Sequence, residues 1–359
     1  MNSIGTALRL TLFGESHGEL VGAVLDGLPA GMQVDVSQIA FEIGMRKPAP
    51  LIGTARREED DVRIASGIKD GHLTGTPLLF LLPNTDVRSA SYAETQFVPR
   101  PGHADYTAYV KYKGHSDFRG GGQFSGRMTA PVVAAGAVAR QFLKGKGIRV
   151  AAHVVRIEDV DDSGEYEFDT VEKERFSNDI RCIGSDAAGR MRDAILRARN
   201  EGDSVGGIIR CIAVGIPPGL GEPFFDTVEG ELSKMIFSIP AVKGIEFGSG
   251  FEGSGWRGSR NNDPFSYSAA EGKVVTLSNN SGGINGGITN GMPLVFRTAF
   301  KPTSSIARKQ KSIDLRTFEE KELTVRGRHD PCIVPRAVIV VEAACCLTLA
   351  DLYLRSGLD

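Results

Sequence analysis

The chain has 359 residues, 41% of them apolar and 24% charged, with a formal net charge of −2. That length and balance suit a soluble globular protein of one large or two ordinary domains. The near-neutral charge excludes an overall basic field that would recruit nucleic acid or an anionic membrane, so any anion must meet a local pocket.

In chain order, residues 7–13, 22–28, 62–67 and 78–82 read as short strands, punctuated by Gly27-Leu28-Pro29 and Pro83-Asn84. Between them, 37–46 reads as a helix with Ile39 and Ile43 on one face and Pro48 as its stop. Residues 127–144 form an Ala/Val-rich helix, ended by Gly145 and Gly147, whose apolar positions are dense enough for burial on most sides. A strand follows at 150–157, then an acidic, polar stretch at 158–179 that reads as a surface excursion. Residues 186–200 read as an amphipathic helix, and 205–215 as a strand leading into Ile216-Pro217-Pro218-Gly219. Asp226 and Glu229 read as a capping box for a helix carrying Val228, Leu232, Met235 and Ile236. A long apolar helix at 338–354 closes the chain. Strands and helices alternate without βαβ order, repeat or linker, which predicts one α+β domain over 1–359.

The five cysteines (Cys182, Cys211, Cys332, Cys345, Cys346) are odd in number and lack zinc-site spacing, the usage of reduced thiols in the cytoplasm. No signal-like stretch stands near Arg9, and apolar runs such as 77–83 are too short to span a bilayer, so no membrane association is expected. Glycine is over-used, 44 residues against a usual share of ~7%. The glycines cluster with polar residues at 14–18, 120–126, 244–258 and 282–287, which predicts a pocket assembled from many loops.

Gly14-Glu15-Ser16-His17-Gly18 follows the first strand and admits two readings. One is the Gly-x-Ser-x-Gly elbow of a hydrolase; the other is a turn whose histidine does the proton chemistry. The elbow reading fits poorly, because strand-like residues follow the motif and His329 precedes Asp330. Residues 100–105 and 117–127 form the densest polar region, where Arg100, His103 and Arg127 flank exposed glycine backbone at a helix start. Lys301-Pro302-Thr303-Ser304-Ser305 offers a cation, hydroxyls and backbone N–H groups to a phosphate, although it is also an ordinary polar loop. Arg326-Gly327-Arg328-His329-Asp330 crowds opposite charges that need a ligand or each other. Arg46, Arg56, Arg57 and Arg88 stand in loops that could join the same pocket. His103, Asp105 and His115 match no common zinc spacing, so no metal is expected.

Taken together these segments resemble the chorismate synthase family. The matching runs are Phe13–Gly18, Asn84-Thr85-Asp86-x-Arg88-Ser89, Arg100-Pro101-Gly102-His103-Ala104-Asp105-Tyr106 and Glu201–Gly207. Gly219–Pro223, Ala241–Gly244, Gly282-Gly283-Ile284-x-Gly286-Gly287, Lys301–Ser305 and Gly327–Cys332 follow in the family's order. The resemblance implies helices packed between antiparallel sheets and a homotetramer. It also implies a 1,4-elimination of phosphate from 5-enolpyruvylshikimate 3-phosphate to give chorismate, requiring reduced FMN without net redox change. By the same resemblance His17 serves the reduced flavin and His103 the leaving phosphate, while Asp330, helped by Ser16, assists removal of the substrate proton. Arg46, Arg100, Arg127, Arg328 and Arg336 would hold substrate and flavin anions. Gln123, Phe124, Ser125, Pro240, Ala241, Gly286, Lys301, Pro302, Thr303, Ser304, Ser305 and Arg328 would contact FMN. NADPH is a candidate reductant, with Arg46 as its contact.

Two departures from the family pattern stand out. Met45-Arg46-Lys47-Pro48 keeps only the middle arginine of the family's Arg-Arg-Arg-Pro, and Gln123-Phe124 replaces a cation and a hydroxyl. A flavin oxidoreductase with net hydride transfer and a catalytically silent anion-binding homologue therefore stand as alternatives.

Overall fold

The computed structural model describes residues 2–49, 52–53, 60–86, 96–270, 272–325, 327 and 329–358. Its first sheet contains β1 (Ser3–Ile4), β2 (Arg9–Gly14), β3 (Leu20–Asp26), β4 (Arg63–Ser66) and β5 (Leu78–Pro83), with α1 (Val36–Met45) inserted after β3. The strands pair antiparallel in the order β1-β2-β3-β5-β4. Alternation sets the buried face: Val21, Ala23 and Leu25 on β3, and Leu78, Phe80 and Leu82 on β5, are almost fully buried. Asp35 caps α1 by accepting from the backbone N–H groups of Ser37 and Gln38, and Ile39 and Ile43 form its buried stripe.

Two helices, α2 (Asp105–Lys111) and α3 (Thr129–Gly145), lead to the second sheet. Its parts are β6 (Arg149–Ile157), β7 (Val160–Asp161), α4 (Phe168–Glu174), α5 (Ser185–Asn200), β8 (Gly207–Val214), α6 (Val228–Ile236), β9 (Val242–Phe247) and β10 (Leu294–Phe300), with α7 (Val334–Ser356) closing the fold. These strands are also antiparallel, in the order β9-β10-β8-β6-β7. Helix α3 packs on β3 and β5, α7 packs on β6 and β8, and the two helices pack on each other. The layers therefore run sheet, helix, helix, sheet, as the family resemblance implies. Helix α7 is long and apolar enough to cross a membrane by length and composition, but nearly all of that surface is buried against protein.

Among the differences from the sequence reading, three bear on how the elements pack. The 158–179 stretch is more than a surface excursion: it holds α4, whose Phe168 and Val171 pack with Ala151 and Ile212. Two apolar residues three apart supply a helix face too short for periodicity to reveal. Thr227, not Asp226, caps α6, accepting from the Gly230 N–H at 3.0 Å, while Asp226 pairs with Arg355. The strict alternation of Leu294–Phe300 builds a strand that the sequence reading passed over.

Charge also enters the core. Glu342 of α7 is fully buried; it accepts from the Ala152 N–H at 2.7 Å and pairs with Arg140 and Arg175, each at 2.7 Å. Arg140 also reaches Glu42 of α1 at 3.0 Å. Paired in this way, charges that would be prohibitive alone tie α1, α3, β6 and α7 together. All five cysteines are buried free thiols.

His153 on β6 is fully buried, edge-to-face against Tyr166 at 5.9 Å, with neither ring nitrogen hydrogen-bonded. Burial, reinforced by Arg210 on the paired strand, pushes its pKa down to about 4, so it is neutral at pH 7. The unfolded chain takes up this proton near pH ~6.5 and the folded chain does not, so stability falls as pH drops from there toward 4. His153→Leu is expected to reduce that slope by about 1.4 kcal/mol per pH unit. Urea unfolding at pH 7 and pH 4.5 checks it; an unchanged slope would refute the assignment.

Candidate active site

A cavity of about 610 Å³ opens beside the second sheet, where both central helices start, within the range of small-molecule sites. The turn after α1, the loop at 100–104, the turns before α3, the segment joining α6 to β9, the loop after β10 and the start of α7 all contribute to its wall. Ser125 accepts from the Arg127 N–H at 3.3 Å and starts the turn that feeds α3, so Arg127 and Thr129 present the helix start to the cavity. Ile333 and Arg336 do the same for α7. Two long helices thus direct the positive ends of their dipoles at one space.

Among the described residues of the wall, seven cations (Arg46, Lys47, Arg100, Arg127, Lys243, Lys301 and Arg336) face two carboxylates, Asp60 and Asp330. Asp60 lies deepest. One carboxylate oxygen takes Arg46 Nη2 at 2.8 Å and the other takes Arg127 Nη1, and all three residues are buried. Burial works to raise the Asp60 pKa, but the two guanidinium groups outweigh it and hold the group ionised. Burial lowers the Arg46 pKa to about 10 against the pull of Asp60, which still leaves Arg46 charged at pH 7.

The network extends both ways from Asp60. Arg127 Nε donates to Asn84 Oδ1 at 2.9 Å, and Asn84 Nδ2 donates to the carbonyls of Glu15 and Gly18, each at 2.9 Å. Asn84 thereby clamps the 14–18 turn. On the other side the Arg46 carbonyl accepts from Arg336 Nε at 3.0 Å, and Arg336 Nη1 reaches Asp330 Oδ2 at 2.5 Å.

A second constellation stands across the cavity. Asp105 accepts from Arg100 and lies 2.6 Å from His103 Nδ1, while Arg100 Nη1 also donates to Ser305 Oγ at 3.2 Å. Lys301 Nζ donates to the Gly102 carbonyl and Ser304 Oγ, at 3.0 and 2.7 Å, joining the loop after β10 to the 100–103 turn. Burial, then Lys243, lowers the Lys301 pKa. His329 also lines the wall; burial, then Arg100, depresses its pKa to about 4, and its Nε2 is buried without a hydrogen-bond partner.

The wall gathers most residues singled out from sequence: Arg46, Arg100, His103, Arg127, Asp330 and Arg336, together with Gln123, Phe124 and Ser125. It also includes Pro240, Ala241, Lys301, Thr303, Ser304 and Ser305. Ser16 and His17 are buried just behind it, with Ser16 Oγ 3.2 Å from His17 Nδ1. Gly120 separates them from the cavity at φ +60°; a Cβ there would stand 2.0 Å from His17 Cε1, so only glycine fits. A fully buried Ser16 followed by strand β3 also removes the hydrolase elbow. Pro302 is not part of the wall. Gly286 sits exposed in the hairpin turn between Ile284–Asn285 and Ile288–Thr289, away from the cavity. Arg328, with Arg56, Arg57 and Arg88, lies outside the described residues.

Asp60 is the residue that sequence reasoning missed. It lies within a run, Arg56-Arg57-Glu58-Glu59-Asp60-Asp61, that reads as solvated surface charge. Lys243 and Asn84 stood within recognised motifs, but nothing local marked either as a cavity cation or a clamp.

A family model described as chorismate synthase matches residues 8–354. The chain is 48% identical to a chorismate synthase of Dehalococcoides mccartyi, over 99% of this chain and 98% of that protein. It is 47% identical to one from Korarchaeum cryptofilum, over 98% and 97%, and 48% identical to one from Pyrococcus abyssi, over 97% and 96%. A crystal structure of a chorismate synthase aligns with a TM-score of 0.78 at 28% identity, over 98% of this chain and 93% of that one.

Asp60→Asn leaves two buried guanidinium groups without their carboxylate, an expected loss of ~3–5 kcal/mol. Inorganic phosphate should then raise the denaturation midpoint of the variant more than that of the wild type, because it supplies the missing anion. Equal shifts in urea unfolding with and without phosphate would overturn this account.

Proposed function

The chain belongs to the chorismate synthase family, and from that premise we propose that it eliminates phosphate from 5-enolpyruvylshikimate 3-phosphate in a 1,4 sense to give chorismate, using reduced FMN. The observation that carries this reading is the cation surplus of the cavity, assembled around Asp60 on one side and Asp105 on the other. A substrate with two carboxylates and a phosphate needs several fixed cations, and two helix starts add to the same field.

The wall also fits a flavin. Phe124, Phe237, Ile239, Val242, Phe300 and Val340 give apolar surface suited to a flat ring, while Lys301, Thr303, Ser304 and Ser305 suit an anionic tail. Reduced FMN, when bound, supplies a transient electron donor with no net redox change. Gln123, Phe124, Ser125, Pro240 and Ala241 would complete its contacts, with the uncharged Gln123 leaving the charge to Lys301. His17 remains the residue assigned to the flavin from behind Gly120, with Ser16 holding its Nδ1 side.

The chain's own groups divide the elimination between them. Arg46, Arg127 and Arg100 hold the substrate anions in geometries that Asp60 and Asp105 have already set, so little reorganisation accompanies the reaction. His103 hands a proton to the phosphate as its carbon–oxygen bond breaks. Asp330 accepts the proton removed from the substrate ring, with Arg336 fixing Oδ2. Arg46, the residue assigned to NADPH, lines this same cavity. NADPH as reductant, a cytoplasmic location and a homotetramer belong to the same proposal.

Anaerobic phosphate release with dithionite-reduced FMN, then with NADPH alone, tests the reading. Release with chorismate formation and no stoichiometric flavin oxidation is expected in the first case. Consumption of flavin in step with product would favour an oxidoreductase, and no release a silent anion-binding homologue. His103→Ala and His17→Ala should each lower turnover by ~10²–10⁴-fold while leaving circular dichroism unchanged.

A further inference from the structure

His103 has two ring nitrogens, and the structure commits one of them. Asp105 Oδ1 lies 2.6 Å from Nδ1. The same carboxylate accepts from Arg100 Nε at 2.7 Å, Arg100 Nη2 at 2.8 Å and the Arg100 backbone N–H at 3.0 Å. Burial works to raise the Asp105 pKa, but the bonds from Arg100 and His103 outweigh it and drive it well below the carboxylate range. An ionised carboxylate only accepts, so the hydrogen between Asp105 and His103 belongs to Nδ1. Nε2 is then the ring nitrogen with no hydrogen-bond partner among the described residues, on a side chain that lines the cavity. Arg100 Nη2, 3.2 Å from Nδ1, is likewise a donor and finds its acceptor in Asp105.

We infer that Asp105 is a positioning residue that locks His103 in the Nδ1–H tautomer and reserves Nε2 for the proton exchanged with the ligand. The tautomer stands on the hydrogen bonds that Asp105 accepts; the exchange with a departing phosphate rests on the function proposed above. A neutral His103 in this state accepts at Nε2. It donates to a phosphate oxygen only after taking a second proton there, and that proton leaves with the phosphate, which restores the starting tautomer. The Arg100 guanidinium shares the Asp105 carboxylate, so the cation that grips an anion and the imidazole that protonates it keep a fixed relation.

Asp105→Asn removes the charge and keeps the shape. Its amide N–H can donate to Nδ1, which moves the His103 hydrogen to Nε2. Nitrogen-15 NMR of histidine-labelled protein without ligand, with His103 assigned by its loss in His103→Ala, reads the tautomer directly. In the neutral ring, wild type should show a protonated Nδ1 and an unprotonated Nε2, the Asn variant the reverse, and Asp105→Glu the wild-type pattern. Turnover of the Asn variant should fall by ~10²–10⁴-fold, the range for losing an oriented proton donor. An Nε2–H tautomer in the wild type, or wild-type turnover in Asp105→Asn, would overturn the inference. If the wild type makes no chorismate while the NMR result holds, the proposed function fails and the tautomer assignment survives.

Discussion

Asp60 is the constraint on which the cavity depends. Arg46 and Arg127 are both buried, and two guanidinium groups at the end of a hydrophobic core would repel each other and each carry an uncompensated desolvation cost. One carboxylate between them removes most of that cost and fixes both in place. The pair then offers a net single positive charge with its remaining N–H groups already oriented. Asn84 carries the order from Arg127 to the 14–18 turn, and Arg336 carries it from the Arg46 carbonyl to Asp330. Residues 15 to 336 thus meet in one hydrogen-bonded line.

The layered core makes that line possible. Helices α3 and α7 are apolar enough to lie back to back between two sheets, and their starts open at the same end of the molecule. Glu342 works in the core as Asp60 does in the cavity, gathering Arg140 and Arg175 around a buried carboxylate. The difference is exposure to a ligand. At Glu342 the charges are enclosed by protein, while Arg46, Arg127 and Arg100, paired with Asp60 and Asp105, line an open cavity.

Much of this was legible before any fold was known. The short strands at 22–28 and 78–82 and the helix at 37–46, with Ile39 and Ile43 on one face and Pro48 beyond its end, follow from side-chain sterics and backbone hydrogen bonding, which are local. Helix α4 and the Thr227 cap were misread because two-residue signals compete with neighbours that look equally suitable. The sequence already disfavoured a hydrolase elbow at Gly14–Gly18, but the burial of Ser16 depends on strands and turns far away in sequence.

The sequence by itself determined many of the element types, the apolar character of the two central helices and the family's ordered motifs, because each is written in contiguous residues. It named His103, Arg100, Arg127 and Lys301 as candidates through their glycine-rich, hydroxyl-rich surroundings. Only the tertiary structure decided that Asp60, inside a charged run, is a buried counter-ion, that Gly286 stands apart, and that Asp105 commits one nitrogen of His103. Charge pairing and tautomer choice depend on distances of 2–3 Å. Here the decisive ones join residues up to 290 positions apart, and no local pattern encodes them.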